Sequence, residues 1–244
     1  MNIKGNTILI TGGGTGIGLA IAEAFLKRDN KIIICGRRES LLKEVKEKYP
    51  EVEYIVTDLR KPDQVKLLHQ WTVKKFPEVN VLINNAGIQR AFNFNEQETL
   101  EDITEEIEIN LSSPVLLSAL FTEKFKSVKE SAIINVSSGL GFAPLAFMPV
   151  YCATKAALHS FTMSLRHQLR NTSINVFELI PPIVDTDLDQ GRRGKRGEAD
   201  RGIEPAIVAE GLIKGMETGD PEIIIGMAKG LRENGETAFA NMNR

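Results

Sequence analysis

A run of glycines directly after the first β-like segment constrains this 244-residue sequence more than any other feature. Thr11 to Gly18 reads TGGGTGIG. It follows the β-branched segment Thr7–Ile10 and leads into an apolar stretch with helical spacing that reaches Phe25. A strand that turns through glycines into a helix leaves the first N–H groups of that helix, and its positive dipole end, free to bind a phosphate. The alternative is a flexible turn without a ligand, but the flanking strand and helix favour a bound dinucleotide.

Individual positions of this loop suit a pyrophosphate. Gly12 permits the tight turn, Gly16 lets the backbone approach the phosphates, and Gly18 allows the helix to pack closely on the strand. Thr15 and Ile17 stand between these glycines and are further candidate cofactor contacts.

The rest of the chain alternates short β-branched runs with helical patterns, which is typical of βαβ units and a parallel sheet covered on both faces. Pro114 is expected to bend one long helix, Leu100 to Phe125. We therefore expect one α/β domain spanning residues 1–244, with a doubly wound, mostly parallel sheet. The predicted strands are Thr7–Ile10, Ile32–Cys35, Val52–Thr57, Val79–Ile83, Ala132–Val136, Ile174–Leu179 and Glu222–Ile225, and the other helices begin near Gly16, Glu39, Pro62, Tyr151 and Pro205.

Composition narrows the class of partner. The formal net charge is −2, with 25% charged and 42% apolar residues, so no global field attracts nucleic acid or an anionic membrane. Cys35 and Cys152 form no metal-ligand or disulfide pattern, and His69, His159 and His167 match no metal-ligand spacing. Without a leader-like segment or a membrane-length apolar run, we expect a cytoplasmic protein with no bound metal.

Tyr151 and Lys155 lie four residues apart in an amphipathic segment that continues to about Arg170. On a helix they are neighbours on one face. A cation within about 4 to 6 Å of a phenol favours the phenolate and lowers the phenol pKa, so the pair can exchange a proton with a substrate oxygen. Because both residues are common on helices, an ordinary solvated pair is the alternative.

Five motifs occur in the order and at the separations of one enzyme family, so the chain from Thr7 to about Thr186 resembles the short-chain dehydrogenase/reductase family. The resemblance implies a Rossmann fold with strand order 3-2-1-4-5-6-7, and hydride transfer between a nicotinamide cofactor and a small carbonyl or alcohol substrate. Pro181-Pro182 with Gly87-Ile88-Gln89 is similar to the DltE-like branch. The motifs are the glycine loop, Asn84-Asn85-Ala86-Gly87, Asn110, Ser138 and the Tyr151–Lys155 pair.

The resemblance assigns a role to each member of the catalytic set. Tyr151 is the general acid or base, and Lys155 lowers the pKa of its phenol and holds the ribose hydroxyls. Ser138 hydrogen-bonds the substrate oxygen, and Asn110 anchors a water in the proton path. Taken alone, Ser137-Ser138 would be an ordinary loop and Asn110 a polar helix residue.

The charge after the second strand favours NADP(H) over NAD(H). Where an acidic residue would hold the ribose hydroxyls of NAD, the sequence has Gly36-Arg37-Arg38, and guanidinium groups suit a 2′-phosphate. The alternative is a solvated cap before a helix, with Glu39 as a substitute acid. By the resemblance, Asp58 contacts the adenine, although a helix-capping role is equally compatible with its position.

Other candidate cofactor residues rest on the resemblance alone. Asn84, Ala86 and Gly87 brace the sheet and border the ribose. Ile183 and Thr186 are candidates for the carboxamide and phosphates, although Pro182 replaces the usual glycine of that motif.

A polar stretch from about 185 to 203 is expected to be a mobile substrate loop. Its basic residues indicate either a lid that attracts an anionic substrate or, more simply, a solvated loop; they are Arg192, Arg193, Lys195, Arg196 and Arg201. The substrate pocket is expected to include Gln89, Arg90, Leu140, Phe142, Leu145, Phe147 and Leu188.

Two other functions are alternatives to the reductase. A non-catalytic NADP-binding redox sensor needs the same fold, but retention of the whole catalytic set favours an enzyme. A serine hydrolase is disfavoured because no G-x-S-x-G motif is present. The helices around Ile107 and Ala157 carry apolar and small residues on more than the one face that can pack on the sheet. A second apolar face predicts a homodimer, as the family resemblance also implies. A homotetramer stays open.

Overall fold

The computed structural model describes residues 1–96, 100–189 and 202–243, and its core is one seven-stranded sheet. Every strand pairing is parallel, and the order is β3-β2-β1-β4-β5-β6-β7, which confirms the predicted fold. Strands such as β1 and β5 are buried along their whole length, as expected for a parallel sheet with both faces covered. The strands are β1 Thr7–Thr11, β2 Lys31–Gly36, β3 Glu53–Val56, β4 Val81–Asn84, β5 Ser131–Val136, β6 Ile174–Ile180 and β7 Glu222–Ile224.

Helices cover both faces because side chains alternate along each strand. Ile8 and Ile10 pack in one apolar cluster with residues of α1, α2 and α7, whereas Leu9 packs in a second cluster with residues of α3, α5 and α6. The helices are α1 Gly16–Leu26, α2 Glu39–Lys48, α3 Pro62–Lys75, α4 Leu100–Ile107, α5 Ser113–Phe125, α6 Pro149–Leu169, α7 Pro205–Thr218 and α8 Ala228–Met242.

The predicted long helix is interrupted at Asn110 and not at Pro114 itself. A π-helical segment, Glu108–Ser112, joins α4 to α5. Pro114 has no N–H, so the carbonyl of Asn110, four residues earlier, cannot receive its ordinary α-helical hydrogen bond. Single π turns are frequent at functional sites, and here the irregular turn carries a candidate catalytic residue.

The C-terminal helix α8 was not predicted from the sequence. Gly230 and Gly235 lower the helix propensity of its sequence, and Gly235 interrupts the helix with φ 33° and ψ −106°. The helix is held by packing against the short turn Gly139–Gly141 that follows β5.

Only the ends of the predicted mobile loop belong to the described residues. Asp187–Asp189 form a short turn, and Val184 bridges Ile203. The basic residues Arg192, Arg193, Lys195, Arg196 and Arg201 lie outside the described residues. Among the described helices, none combines the length and apolar character needed to cross a bilayer.

Candidate active site

A cavity of about 1070 Å³ opens at the carboxyl ends of the strands. Strand β2 lies on one side of β1, and β4 lies on the other. The direction in which strands are added therefore reverses at β1, and doubly wound sheets bind ligands at this switch point. Gly18, also a predicted cofactor residue, is not among the lining residues. The predicted cofactor residues that line the cavity are Gly12, Thr15, Gly16, Ile17, Arg37, Arg38, Ala86, Gly87, Tyr151, Lys155, Ile183 and Thr186.

The glycine loop is held in a tight turn against β4. Gly12 has φ +66°, a conformation that favours glycine, and a Cβ on Gly18 would lie 2.3 Å from the carbonyl oxygen of Gly12. The Asn85 side chain donates to the carbonyls of Thr11 (2.9 Å) and Gly12 (3.3 Å), and the Thr11 hydroxyl accepts the N–H groups of Asn85 and Ala86. Asn85 therefore shapes the loop, a role that sequence analysis missed.

Thr186, in the segment that follows β6, lies beside the same glycine loop. A Cβ on Gly16 would lie 3.0 Å from the Thr186 methyl carbon. The predicted contacts of Thr186 with cofactor phosphates stay a prediction, but its side chain stands beside the loop that would bind them.

The two arginines after β2 are not equivalent. Arg37 donates to Glu105 of α4 at 2.6 Å, and Glu105 also binds Arg60 and Arg90. Burial opposes ionisation of Glu105, but hydrogen bonds from Arg37 and Arg90 hold its pKa below the usual value. Within the described part of the chain, Arg38 makes only a long contact with the Thr15 hydroxyl, 3.5 Å. Its guanidinium is the more available of the two.

Asp58 and Asn84 lie beside the cavity and do not line it. The Asp58 carboxylate accepts from the backbone N–H and side chain of Arg60, and the Arg60 guanidinium holds the pKa of that carboxyl below its usual value. Asp58 does not cap α3, because the N-cap residue of that helix is Lys61 and no side chain caps it. The helix-capping alternative is therefore wrong, and the adenine contact stays a prediction. The Asn84 side chain is buried and donates to Asn135 (2.8 Å) and Ser118 (3.2 Å), so it braces β4 against β5 and α5.

Tyr151 and Lys155 stand on one face of α6 at the cavity wall. Pro149 occupies the first turn, where a missing N–H is tolerated. The Lys155 Nζ lies 5.7 Å from the centre of the Tyr151 ring and donates to the carbonyl of Val136 at 2.8 Å. Lys155 is 4% exposed; its burial lowers the pKa of the ammonium to about 8, although the charges of Glu106 and Glu178 oppose that change.

The structure separates the two serines that follow β5. Ser137 donates to the buried carboxylate of Glu178. Ser138 lines the cavity, and its oxygen accepts the N–H of Leu140 at 3.1 Å. Because that bond uses a lone pair of Ser138, its O–H remains able to donate to a substrate oxygen.

Asn110 joins helix α6 to the loop after β4. Its side-chain oxygen accepts the N–H of Ile88 at 2.9 Å, and its amide donates to the Ile88 carbonyl and to the Thr154 hydroxyl at 3.2 Å. Thr154 precedes Lys155. A Cβ on Gly87 would lie 3.4 Å from the Asn110 oxygen and 3.6 Å from the Lys155 Nζ, so these two side chains border the same small volume.

One group of side chains in the described part of the chain brings three possible metal-ligand atoms within 4.8 Å of one another: His159, Glu178 and Glu222. Hydrogen bonding already explains the cluster, because Glu178 accepts from Ser137 and pairs with His159 at 2.8 Å. His159 therefore has a specific buried partner that its sequence context did not indicate.

Beyond Tyr151 the cavity wall is largely apolar. Tyr151 packs in one cluster with Met148, Leu140, Leu145 and Leu188. Gln89 and Phe147 line the cavity as expected, whereas Arg90 and Phe142 are not among its lining residues. Helix α8 and the residue before it add lining residues that were missed because the helix was not predicted: Met227, Leu231 and Met242.

The sequence matches the short chain dehydrogenase family over residues 6–197. It is 47% identical over 234 residues to the uncharacterized oxidoreductase DltE of Bacillus subtilis (strain 168), covering 96% of this chain and 93% of that protein.

Solved structures share the fold. A short chain dehydrogenase from Burkholderia cenocepacia J2315 in complex with NADP has a TM-score of 0.85 at 25% identity and covers 99% of both chains. A short chain dehydrogenase/reductase from Burkholderia phymatum in complex with NAD has a TM-score of 0.88 at 22% identity, covering 100% of this chain and 97% of that one.

The chain therefore belongs to the short-chain dehydrogenase/reductase family and is an NAD(P)-dependent oxidoreductase of that family. Its similarity to DltE supports the DltE-like branch.

Proposed function

We propose that this protein is an NADP(H)-dependent reductase or dehydrogenase that interconverts a carbonyl and an alcohol, with Tyr151 as the general acid or base. The observation that carries the proposal is the convergence of Tyr151, Lys155 and Ser138 on the wall of a cavity that begins at the glycine loop. The glycine turn and the arginines after β2 suit the phosphates of such a cofactor.

The bound nicotinamide would supply or accept the hydride. In carbonyl reduction, Ser138 donates a hydrogen bond to the substrate oxygen and holds it near the Tyr151 hydroxyl. The phenol O–H bond breaks as the substrate O–H bond forms, and the buried Lys155 ammonium stabilises the phenolate that remains. In alcohol oxidation the same groups act in reverse. Asn110 links the loop after β4 to the residue before Lys155, which fixes this arrangement.

The preference for NADP(H) has a direct test in binding. We expect tighter binding of NADPH than of NADH. Arg38→Ala should weaken NADPH binding by about 10- to 100-fold, the value of a charged hydrogen bond, and should change NADH binding little. Arg37→Ala should have a smaller effect, because Arg37 already pairs with Glu105. Dissociation constants from calorimetry measure both.

Arg28→Ala is the matched control for those variants, because Arg28 pairs with Glu210 away from the cavity. Tighter binding of NADH than of NADPH, unaltered by Arg38→Ala, would show that the cofactor preference is wrong.

The apolar wall beyond Tyr151 predicts the kind of carbonyl that is reduced. In a panel of straight-chain aldehydes, kcat/KM with NADPH should rise about fourfold per added methylene, since each buried CH₂ contributes about 0.8 kcal/mol. Short, charged keto acids should be poor substrates. A flat series would contradict the apolar substrate site without affecting hydride transfer. Tight NADPH binding with no turnover of any carbonyl would favour the redox-sensor alternative.

Assembly as a homodimer and a cytoplasmic location belong to the same proposal. Ile107 of α4 is 38% exposed, and Ala153 on α6 is also exposed, as a helix–helix interface between two copies requires. Sedimentation equilibrium that gives a monomer mass would contradict the dimer. Cys35 and Cys152 are buried, unpaired thiols, which fits a reducing compartment; fractionation of cells would test the location.

A further inference from the structure

A buried carboxylate that the proposed chemistry does not use lies one helical turn before Asn110. Glu106 of α4 is 0% exposed. Its Oε1 accepts the N–H of Arg90 at 3.2 Å, but its Oε2 has no hydrogen-bond partner among the described residues. An ionised carboxylate with an open oxygen is costly to bury, so this side chain is not explained by packing alone.

Glu106 lies on α4, the helix that packs on α6. Glu106 and Asn110 lie four residues apart on a helix, hence on one side of it. Asn110 contacts Thr154 and borders the same volume as the Lys155 Nζ. Helix α4 packs on α6, and Lys155 and Cys152 of α6 both interact electrostatically with Glu106.

Two other groups act on Glu106 besides Lys155. The Arg90 guanidinium pairs with Glu105 and with Asp102, the latter at 3.1 Å, but its buried Nη1 has no hydrogen-bond partner among the described residues. Arg90 therefore also favours the ionised form of Glu106 and lowers its pKa. Cys152 is a thiol throughout the working range, because burial raises its pKa to about 11. Lys155 is the second cation that acts on Glu106. It donates to the carbonyl of Val136 and forms no hydrogen bond with a carboxylate among the described residues.

A second buried carboxylate, Glu178, also acts on the charge of Lys155 but is differently bound. Both oxygens of Glu178 have hydrogen-bond partners, Ser137 and His159. Glu106 keeps one oxygen open, so its ionisation is less constrained by hydrogen bonds.

We propose that Glu106 is a positioning residue that keeps the proton on Lys155, so that an ammonium stands beside the Tyr151 phenol during proton transfer. This inference rests on the proposed function, because it assigns Glu106 a part in that reaction. Glu106 touches neither substrate nor cofactor in this role. It acts through Lys155, and the lysine keeps its proton while the phenol transfers its own.

The two pKa values support the coupling. Burial raises the pKa of Glu106 to about 7, even though Arg90 and Lys155 lower it, and burial lowers the pKa of Lys155 to about 8. Glu106 is thus ionised mainly above pH 7, where Lys155 approaches the loss of its proton. A negative charge that appears in that range raises the pKa of Lys155 and extends the ammonium form to higher pH.

Glu106→Gln removes the charge and keeps the shape. For carbonyl reduction with NADPH, the alkaline limb of kcat/KM should move to lower pH by about one unit, the size expected for loss of a nearby opposite charge. Well below pH 7, where Glu106 of the native protein is itself neutral, the two proteins should agree. Glu106→Asp keeps the charge and should retain most of the native limb.

Glu101→Gln is the matched control, because it makes the same charge change on the exposed side of the same helix. The alkaline limb of its kcat/KM profile should match that of the native protein. An unshifted limb in a folded Glu106→Gln protein would overturn the proposal.

A measurement without cofactor keeps the inference testable if the variant does not fold or if no carbonyl is reduced. In the cofactor-free native protein, the ¹³Cε resonance of Lys155, assigned by its loss in Lys155→Met, should show two inflections. One belongs to Glu106 near pH 7 and one to Lys155 near pH 8. A single inflection would overturn the coupling. Two inflections without any reductase activity would instead show that the proposed function had failed.

Discussion

Tyr151→Phe is expected to reduce kcat for carbonyl reduction by about 10²- to 10⁴-fold, the usual contribution of a positioned general acid, or to below detection. The variant removes one hydroxyl from a ring that is packed among Met148, Leu140 and Leu145, so the fold and the cavity should persist. NADPH should still bind, because the phosphate-binding loop and the arginines after β2 are unchanged. Stopped-flow turnover and equilibrium binding of NADPH measure the two effects separately.

Tyr54→Phe provides the matched control, since Tyr54 lies on β3 and does not line the cavity. It should be fully active. Near-normal turnover by Tyr151→Phe would show that another group transfers the proton, and loss of NADPH binding would show that the hydroxyl serves the cofactor site as well.

Gly18→Ala is expected to damage both stability and cofactor binding. The added Cβ would lie 2.3 Å from the Gly12 carbonyl oxygen and 2.5 Å from the Asn85 amide nitrogen, so the backbone of the loop must shift. Overpacking of this kind costs about 1–3 kcal/mol, and a Tm lowered by several degrees follows for a domain of this size. NADPH binding should weaken by at least about tenfold, the equivalent of 1.4 kcal/mol.

Gly14→Ala distinguishes a steric effect from a general intolerance of the loop. Its Cβ would meet Leu42 at an ordinary 3.4 Å, so the Tm should hardly change. Equal loss of Tm in the two variants would contradict the steric explanation. Calorimetry of both proteins without cofactor gives the comparison.

The fold was predictable because its signals are local. The glycine loop stands between a strand and a helix that are adjacent in sequence, and β1 and β5 lie where β-branched residues predicted them. Strand order came from the family resemblance, and the sheet confirms it. Helix α8 was missed because Gly230 and Gly235 lower its helix propensity. It packs against Gly139–Gly141, about ninety residues earlier in the chain.

The electrostatics of the site were not predictable, because the partners are distant in sequence. Arg37 and Glu105 are 68 positions apart, and Ser137 and Glu178 are 41 apart. Glu106 belongs to a helix rich in charged residues, and no local sequence pattern indicates that its side chain is buried. The same limit applied to the serine pair, where sequence analysis favoured Ser138 only by resemblance. The hydrogen bond of Ser137 to Glu178 gives a physical reason for the distinction.

The three arginines that converge on Glu105 make cofactor selection an exchange of partners. Under the proposed preference, a 2′-phosphate that reaches Arg37 displaces a carboxylate already bound there, and Glu105 remains neutralised by Arg60 and Arg90. The free energy that Arg37 contributes to cofactor binding is then the difference between its ion pair with the 2′-phosphate and its ion pair with Glu105. Glu105 does not line the cavity, so selectivity for the cofactor would be adjustable from a position that never contacts it.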